Sequence, residues 1–438
     1  MKTGLHDFSL TFTAKLVTII TVLGTQSCLA WFLGPEGRGS YAVCVIFAMV
    51  LSTFFVIGCD VASLYFVASG RFSISEGLTY TLIYGGIGSL LAMAVGLGIL
   101  QFDFPFLSKA GRLAFHLALL SIPFSLFSLI LLNLLTAVRH FTQYALVLIG
   151  QGLSNLIFVL IYVRLLGGGV NGALLAVITA SLITILFTLY LFRRDFAVTW
   201  CRPKLARLKE MIHYGARYYL GKISNMANFQ IGTIILAFFA GKAEIAFFAV
   251  AMRVAVQVLI IPDALTSVLI PRSARDQEGK KKLVALCSRL TALICGLGLL
   301  VLGLLAEPLV KLVFSPAFLP AVPLIRIVCL GVWIRAAGKV FVPYLIGTDH
   351  PGIASLSVGA GMLVNLAALA VFLPRLGLPG AALAVTLSYF VSSTILLIGF
   401  MRFSGLTLRQ TWAPRRTDLN FLIELIRSRG KGKLTDAT

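Results

Sequence analysis

The chain has 438 residues, of which 59% are hydrophobic and only 12% charged, and it contains 32 Phe. A soluble fold of this size cannot hold so much apolar side chain in its interior, so the composition predicts a protein dissolved in a lipid bilayer. Its 37 Lys and Arg against 16 Asp and Glu give a net charge of +21. No zinc pattern, recognition helix or aromatic–basic strand pair accompanies that charge, which sets a nucleic-acid partner aside.

The first apolar stretch, 14–33, follows MKTGLHDFSLTFTAK and lacks a small-x-small exit site, so it is expected to be a retained span and not a cleaved signal peptide. Five more stretches follow at 41–68, 78–100, 113–136, 142–165 and 172–192. A second set of six runs over 216–240, 246–270, 285–306, 321–346, 353–373 and 380–401. Each is long enough for a helix to cross hydrocarbon about 30 Å thick, and none shows the ten-residue alternation of barrel strands. The sequence therefore predicts an all-α polytopic membrane protein of about twelve transmembrane helices.

Basic residues fix the expected orientation, because short basic loops stay on the cytoplasmic side. Arg193, Arg194, Arg202, Lys204, Arg207 and Lys209 follow span six, Arg272, Arg275 and Lys280–Lys282 follow span eight, and the tail is basic throughout. With the N-terminus inside, all of these are cytoplasmic. An even number of spans then puts both termini inside. Anionic headgroups of membrane lipids account for much of the remaining charge. The seven cysteines show no metal or disulfide spacing and read as small buried hydrophobes.

The halves overlay. GPEGRGSYAV at 34–43 lies over GKAEIAFFAV at 241–250, and Gly172–Val177 lies over Gly380–Val385. Asn155 and Asn365 are 210 positions apart, each one span before that second match. Six spans per copy keep both copies in the same orientation, a parallel repeat. The expected organisation is a six-helix bundle over 1–192, a basic linker over 193–214, a second bundle over 215–402 and a basic tail over 403–438. Within the linker, Pro203–Tyr214 is expected to form a short interfacial helix with Leu205, Leu208, Met211 and Ile212 toward lipid.

Ionisable groups deep in hydrocarbon are costly and mark partners or watery cavities. Arg217 and Lys222 in span seven, Arg253 in span eight and Arg335 and Lys339 in span ten are the candidate cationic cavity residues. Arg335 and Lys339 share one helix face, and Arg326 is expected to return near it. Snorkelling to headgroups is the competing reading for Arg217, Lys222, Arg289 and Arg326. Asp60 and Asp263, near span ends, read equally as coupling groups or as helix-end structure. Asn225, Asn228, Gln151 and Asn155 are candidate polar lining, with helix–helix hydrogen bonding as the alternative. No metal or catalytic constellation emerges.

FLGPEGRGSYAV, GCDVASLYFVASGR, AEIAFFAVAMRV, VLIPRSAR and RLGLPGAALAVTLSY together resemble the multidrug/oligosaccharidyl-lipid/polysaccharide exporter superfamily, and within it the polysaccharide transporters that flip lipid-linked repeat units. That resemblance implies two six-helix bundles around a cationic cavity in a bacterial inner membrane, working by alternating access; a monomer is expected because the duplicated halves can build a complete cleft within one chain. The implied cargo is an anionic polyprenyl-diphosphate-linked oligosaccharide for surface polysaccharide such as lipopolysaccharide. Implied partners are a polysaccharide polymerase and chain-length machinery. No cofactor is implied; the drive is a proton or sodium gradient or the membrane potential. The chain has no phosphate-binding loop for ATP. The competing functions are ion-coupled multidrug export within the same superfamily and a membrane-embedded polysaccharide polymerase or ligase. The latter lacks the large outside loop that such an enzyme needs.

Overall fold

Apolar runs bounded by Gly, Pro and charge become helices here because a bilayer-spanning backbone must satisfy its polar groups internally. The computed structural model describes residues 2–56, 58–138, 140–195, 201–263, 277–348 and 350–412, and regular structure among them is helical throughout. Among the described residues, ten helical runs are long and apolar enough to cross a membrane. The protein is thus an all-α, multi-pass membrane protein.

The helices are α1 (Lys2–Val56), α2 (Cys59–Ala68), α3 (Ile74–Ile99), α4 (Arg112–Ala137), α5 (Phe141–Val159) and α6 (Gly169–Asp195). They continue as α7 (Leu205–Phe239), α8 (Lys242–Val256), α9 (Gln277–Leu304), α10 (Ala306–Leu309) and α11 (Ala321–Lys339). The series closes with α12 (Val342–Gly347), α13 (Pro351–Leu376), α14 (Leu378–Ser404) and α15 (Leu408–Trp412). Short 3₁₀ and π turns extend several of them; a 3₁₀ turn carries α8 on through Leu259.

α1 is two helices joined at Gly34, whose φ of 64° and ψ of −177° are not helical. A side chain there would meet the left-handed penalty, and Pro35 then supplies a preset first residue for the next helix. α3 starts with a capping box: Glu76 N–H donates to Ser73 Oγ at 3.1 Å and Ser73 N–H to Glu76 Oε2 at 3.0 Å.

The chain packs as two compact units, Met1–Ala249 with Leu309–Leu319, and Val250–Pro308 with Pro320–Thr438. In the first, a core gathers around α4, where Leu131, Leu134 and Leu135 are fully enclosed by α2, α3 and α6. The return segment 309–319 is held on α1: Ser27 Oγ donates to the Val313 carbonyl, and Arg38 lies over the rings of Phe314 and Phe318 at 5.6 and 5.9 Å. At Gly39 a Cβ would fall 1.8 Å from the Lys242 carbonyl oxygen, so only glycine lets the two backbones meet.

The linker corrects one expectation. Leu205 is exposed, but Met211 is fully buried, and Leu208, Ile212 and Tyr214 pack on the same core instead of on lipid. The segment forms the first turns of α7 and has no separate surface helix. An amphipathic face shows the same spacing whether its partner is lipid or protein, and here α2 and α3 supply the partner. Tyr65 stacks on Tyr214 at 4.3 Å, and Glu76 pairs with Arg207. That hydrogen bond also holds the Arg207 guanidinium pKa above its ordinary value.

In the second unit, small residues set the packing. Gly331 meets Thr386, Gly338 meets Ser393 and Gly361 meets Ser392, so α11 and α13 lie close against α14. Phe341 and Phe400 stack at 4.7 Å in its core. Six cysteines are described, of which Cys44, Cys287, Cys295 and Cys329 are buried.

Candidate functional site

The second unit places a guanidinium in the middle of a membrane-spanning helix. Arg335 is the fifteenth residue of the 27-residue run Ala321–Gly347 and is 7% exposed. Its guanidinium carbon lies 5.6 Å from the ring centre of Tyr389, itself fully buried on α14. The ring's negative face attracts the cation, and this attraction strengthens as water is excluded. One turn further along α11, Lys339 forms an ion pair with Asp263 beyond the end of α8. The two side chains keep 31% and 51% of their exposure, so this pair sits at a wet boundary.

This arrangement joins residues that the sequence treats separately. Lys339 is matched locally by Asp263. Arg326 departs from the expectation that it returns near the Arg335 face. Nine residues at 100° per residue amount to two and a half turns, which is the opposite side of the helix. Its side chain is exposed there and donates through Nε to the Gly303 carbonyl at 3.1 Å, satisfying the end of α9. Arg289 does not reach for headgroups either: it is 8% exposed and donates to the Gln410 carbonyl, fastening α15 to α9.

Arg253 is exposed on α8. The side chains of Arg217, Lys222, Asn225 and Asn228 lie outside the described residues, although the backbone there belongs to α7. Asp60 is buried in the first turn of α2, where a carboxylate complements the positive end of the helix. Gln151 Nε2 donates to Ser128 Oγ at 3.3 Å and so ties α5 to α4. Asn155 is half-buried, and its Oδ1 has no hydrogen-bond partner among the described residues. Asn365, its counterpart in the overlay, is fully buried with neither amide atom bonded among the described residues.

The sequence alone singles out neither Arg38 nor Tyr389. Arg38 is 3% exposed and donates Nη1 to the Gln26 carbonyl at 2.7 Å and Nη2 to Gln26 Oε1 at 2.9 Å. The signal was present in Gln26, a polar interruption of span one. Among the described residues no group of three His, Cys, Asp or Glu is placed to hold a metal ion.

The fold is that of a polytopic helical membrane protein with a guanidinium buried at mid-span. Residues 5–277, more than half of the chain, match the family described as "Polysaccharide biosynthesis protein", and the chain belongs to that family. It is 24% identical over 354 residues to the succinoglycan biosynthesis transport protein ExoT of Rhizobium meliloti (strain 1021), covering 78% of this chain and 67% of that protein. It is 28% identical over 158 residues to an uncharacterized membrane protein in the cps region of Klebsiella pneumoniae, covering 35% of this chain and 32% of that one. Its fold is similar to that of an inward-facing multidrug resistance MATE family transporter of the MOP superfamily, with TM-score 0.73 and 18% identity over 91% of this chain and 98% of that one. The lipid II flippase MurJ in an inward closed conformation matches with TM-score 0.64 and 15% identity over 98% of this chain and 94% of that one. Solved transporters are thus among the proteins whose fold this chain shares.

Proposed function

We propose that this protein moves a lipid-linked anionic saccharide across the cytoplasmic membrane for surface polysaccharide assembly. The observation that carries the reading is Arg335, a guanidinium buried at mid-span in a chain whose family and ExoT-like relative belong to polysaccharide biosynthesis and transport. A guanidinium offers paired donors to a phosphate or carboxylate, as a cationic-drug site would not. The sequence offers Arg217, Lys222, Arg253 and Lys339 as further cationic contacts for such a headgroup, and Asp263 holds Lys339 until an anion competes for it. Asp60 is the candidate for coupling to a proton or sodium gradient.

We further infer twelve crossings in two parallel six-helix bundles, 1–192 and 215–402, joined by 193–214, with both termini cytoplasmic. Ten runs are apolar enough to span, and the first of them, Val17–Val56, is 40 residues long and bends at Gly34. Forty residues reach about 60 Å at ~1.5 Å each, enough for two passes. Counting that run twice and adding α7 (35 residues) gives twelve. The partners we propose are a polysaccharide polymerase and chain-length machinery, with the transporter itself a monomer.

Ion-coupled multidrug export is the second reading, and the fold likeness on its own favours it, since the MATE transporter matches at TM-score 0.73. Reconstitution separates the two. In proteoliposomes, the wild type is expected to move a fluorescent polyprenyl-diphosphate oligosaccharide between leaflets, and Arg335→Gln is expected to abolish that movement while the protein stays folded. Export of a cationic dye with no movement of the lipid-linked sugar would decide for the second reading.

A further inference from the structure

Unit one carries a groove of about 290 Å³ that the transport reading does not use. Its walls come from Val43, Phe47 and Leu51 on the second half of α1, Phe106 in the turn after α3, and Ile234 and Phe238 at the end of α7. Phe106 is the keystone: its ring lies 5.2 Å from that of Phe238 and 5.6 Å from that of Phe47. Every lining side chain is apolar. No group there can solvate a sugar, a phosphate or an ammonium, so the chemistry admits hydrocarbon alone.

The groove runs into an exposed apolar surface of two membrane-spanning helices. Ile99 closes one side of it, and Val95 and Leu91 precede Ile99 at four-residue steps on the same face of α3, with 43% and 50% exposure. On α1, lining Val50 leads in the same way to Phe54, 46% exposed. A strip of exposed apolar side chains on spanning helices therefore continues as the groove wall. Hydrocarbon gains nothing by leaving lipid for a protein surface as such. It gains by filling space whose walls otherwise lack contacts on one side.

We infer that this groove seats one acyl chain of a bilayer phospholipid. Mass action selects the occupant: the groove opens onto the bulk lipid, which outnumbers any rarer isoprenoid carrier. The inference requires only that the chain be embedded in a membrane, whichever cargo it carries.

The test uses the full chain reconstituted with a phospholipid that bears a photoactivatable diazirine in one acyl chain. Adducts are mapped by mass spectrometry. Peptides containing Phe47, Phe106 and Phe238 are expected to be labelled above the peptide around Leu363, an exposed apolar position on a membrane-spanning helix. Filling the groove with Ala237→Phe is expected to abolish the groove adducts and leave those at Leu363 unchanged. Ala237→Leu, a smaller intrusion, serves if the larger one does not fold. Groove labelling no higher than at Leu363, or labelling indifferent to both substitutions, overturns the inference. So does capture of a diazirine-bearing polyprenyl phosphate in preference to the phospholipid when both are present in equal amounts.

Discussion

Arg38 grips Gln26 twice, through the main-chain carbonyl at 2.7 Å and the side-chain oxygen at 2.9 Å, across the bend at Gly34. The two helices of α1 are thereby locked at one angle, and the exposed parts of the same guanidinium are covered by Phe314 and Phe318 of the return segment. A single buried cation thus holds three pieces of chain together.

Arg38→Ala should therefore cost stability well beyond a surface substitution. Hydrogen bonds to a charged group are worth about 1.5–3 kcal/mol, and the Gln26 oxygens would be left without their donor. Arg38→Lys should recover only part of this, because an ammonium cannot reproduce the fork that reaches both oxygens. Thermal unfolding of the detergent-solubilised protein, followed by tryptophan fluorescence, checks the order wild type, Lys, Ala. Equal midpoints for all three would remove the lock.

Asp263 and Lys339 yield a prediction of opposite signs at neighbouring positions. If an anionic headgroup competes with Asp263 for Lys339, Asp263→Asn should tighten binding of that headgroup and Lys339→Gln should weaken it. At an effective dielectric near ~20 the change is on the order of a few kcal/mol at contact and falls with screening, so several-fold shifts in Kd are expected. Because the pair is partly exposed, neither change should move the folded-state stability by more than about 1 kcal/mol. Titration with a diphosphate-bearing lipid in detergent measures the first effect and thermal unfolding the second. Weaker binding after Asp263→Asn would show that the carboxylate helps to receive the ligand.

How far the sequence carries the fold is visible at particular residues. Hydropathy marks the helical runs because a bilayer enforces long apolar segments, and the break at Gly34-Pro35 stands in the sequence as plainly as in the structure. The face of the linker does not. Met211 is buried against protein, though its spacing would serve lipid equally well. The partner of Lys339 is 76 positions away, at Asp263, and no periodicity relates two helices that meet only in the fold. Arg326 fails for a simpler reason: its phase on the helix puts it opposite Arg335. Arg335 itself was legible, because an arginine at the centre of an apolar run has few places to go. The tyrosine ring that receives it was not, since nothing in α14 distinguishes Tyr389 from the other aromatic residues of that helix.

The meeting of α13 and α14 can be tested by a suppressor. A Cβ on residue 361 would lie 2.0 Å from Ser392 Oγ, far inside contact distance, and that hydroxyl donates to the Ser357 carbonyl at 2.9 Å. Gly361→Ala should lower the melting temperature by pushing the hydroxyl from its bond or the helices apart, costing about 1–3 kcal/mol. Ser392→Ala alone should cost less, roughly the ~1 kcal/mol of one hydrogen bond. The double variant should be more stable than Gly361→Ala alone, since removing Oγ leaves the Ser388 carbonyl oxygen at 3.2 Å and Ser392 Cβ at 3.4 Å as the nearest atoms to the new methyl, a tight fit in place of an overlap. Additive losses would mean that the two positions do not share the contact.

Asn365 separates stability from activity. Both of its amide atoms are buried without a hydrogen-bond partner among the described residues, on a helix packed tightly against α14. An amide in that condition costs about 1–3 kcal/mol relative to an apolar group of similar volume. Asn365→Leu should accordingly raise the melting temperature, the reverse of most core substitutions. A sequence selected for folding alone would have no reason to keep the amide. Its retention is explained if the polar group is used when α13 and α14 shift during transport. The same variant is therefore expected to slow movement of the cargo in proteoliposomes while melting later. A higher melting temperature with undiminished transport would show the amide to be dispensable, and a lower one would show that Asn365 is already satisfied where it stands.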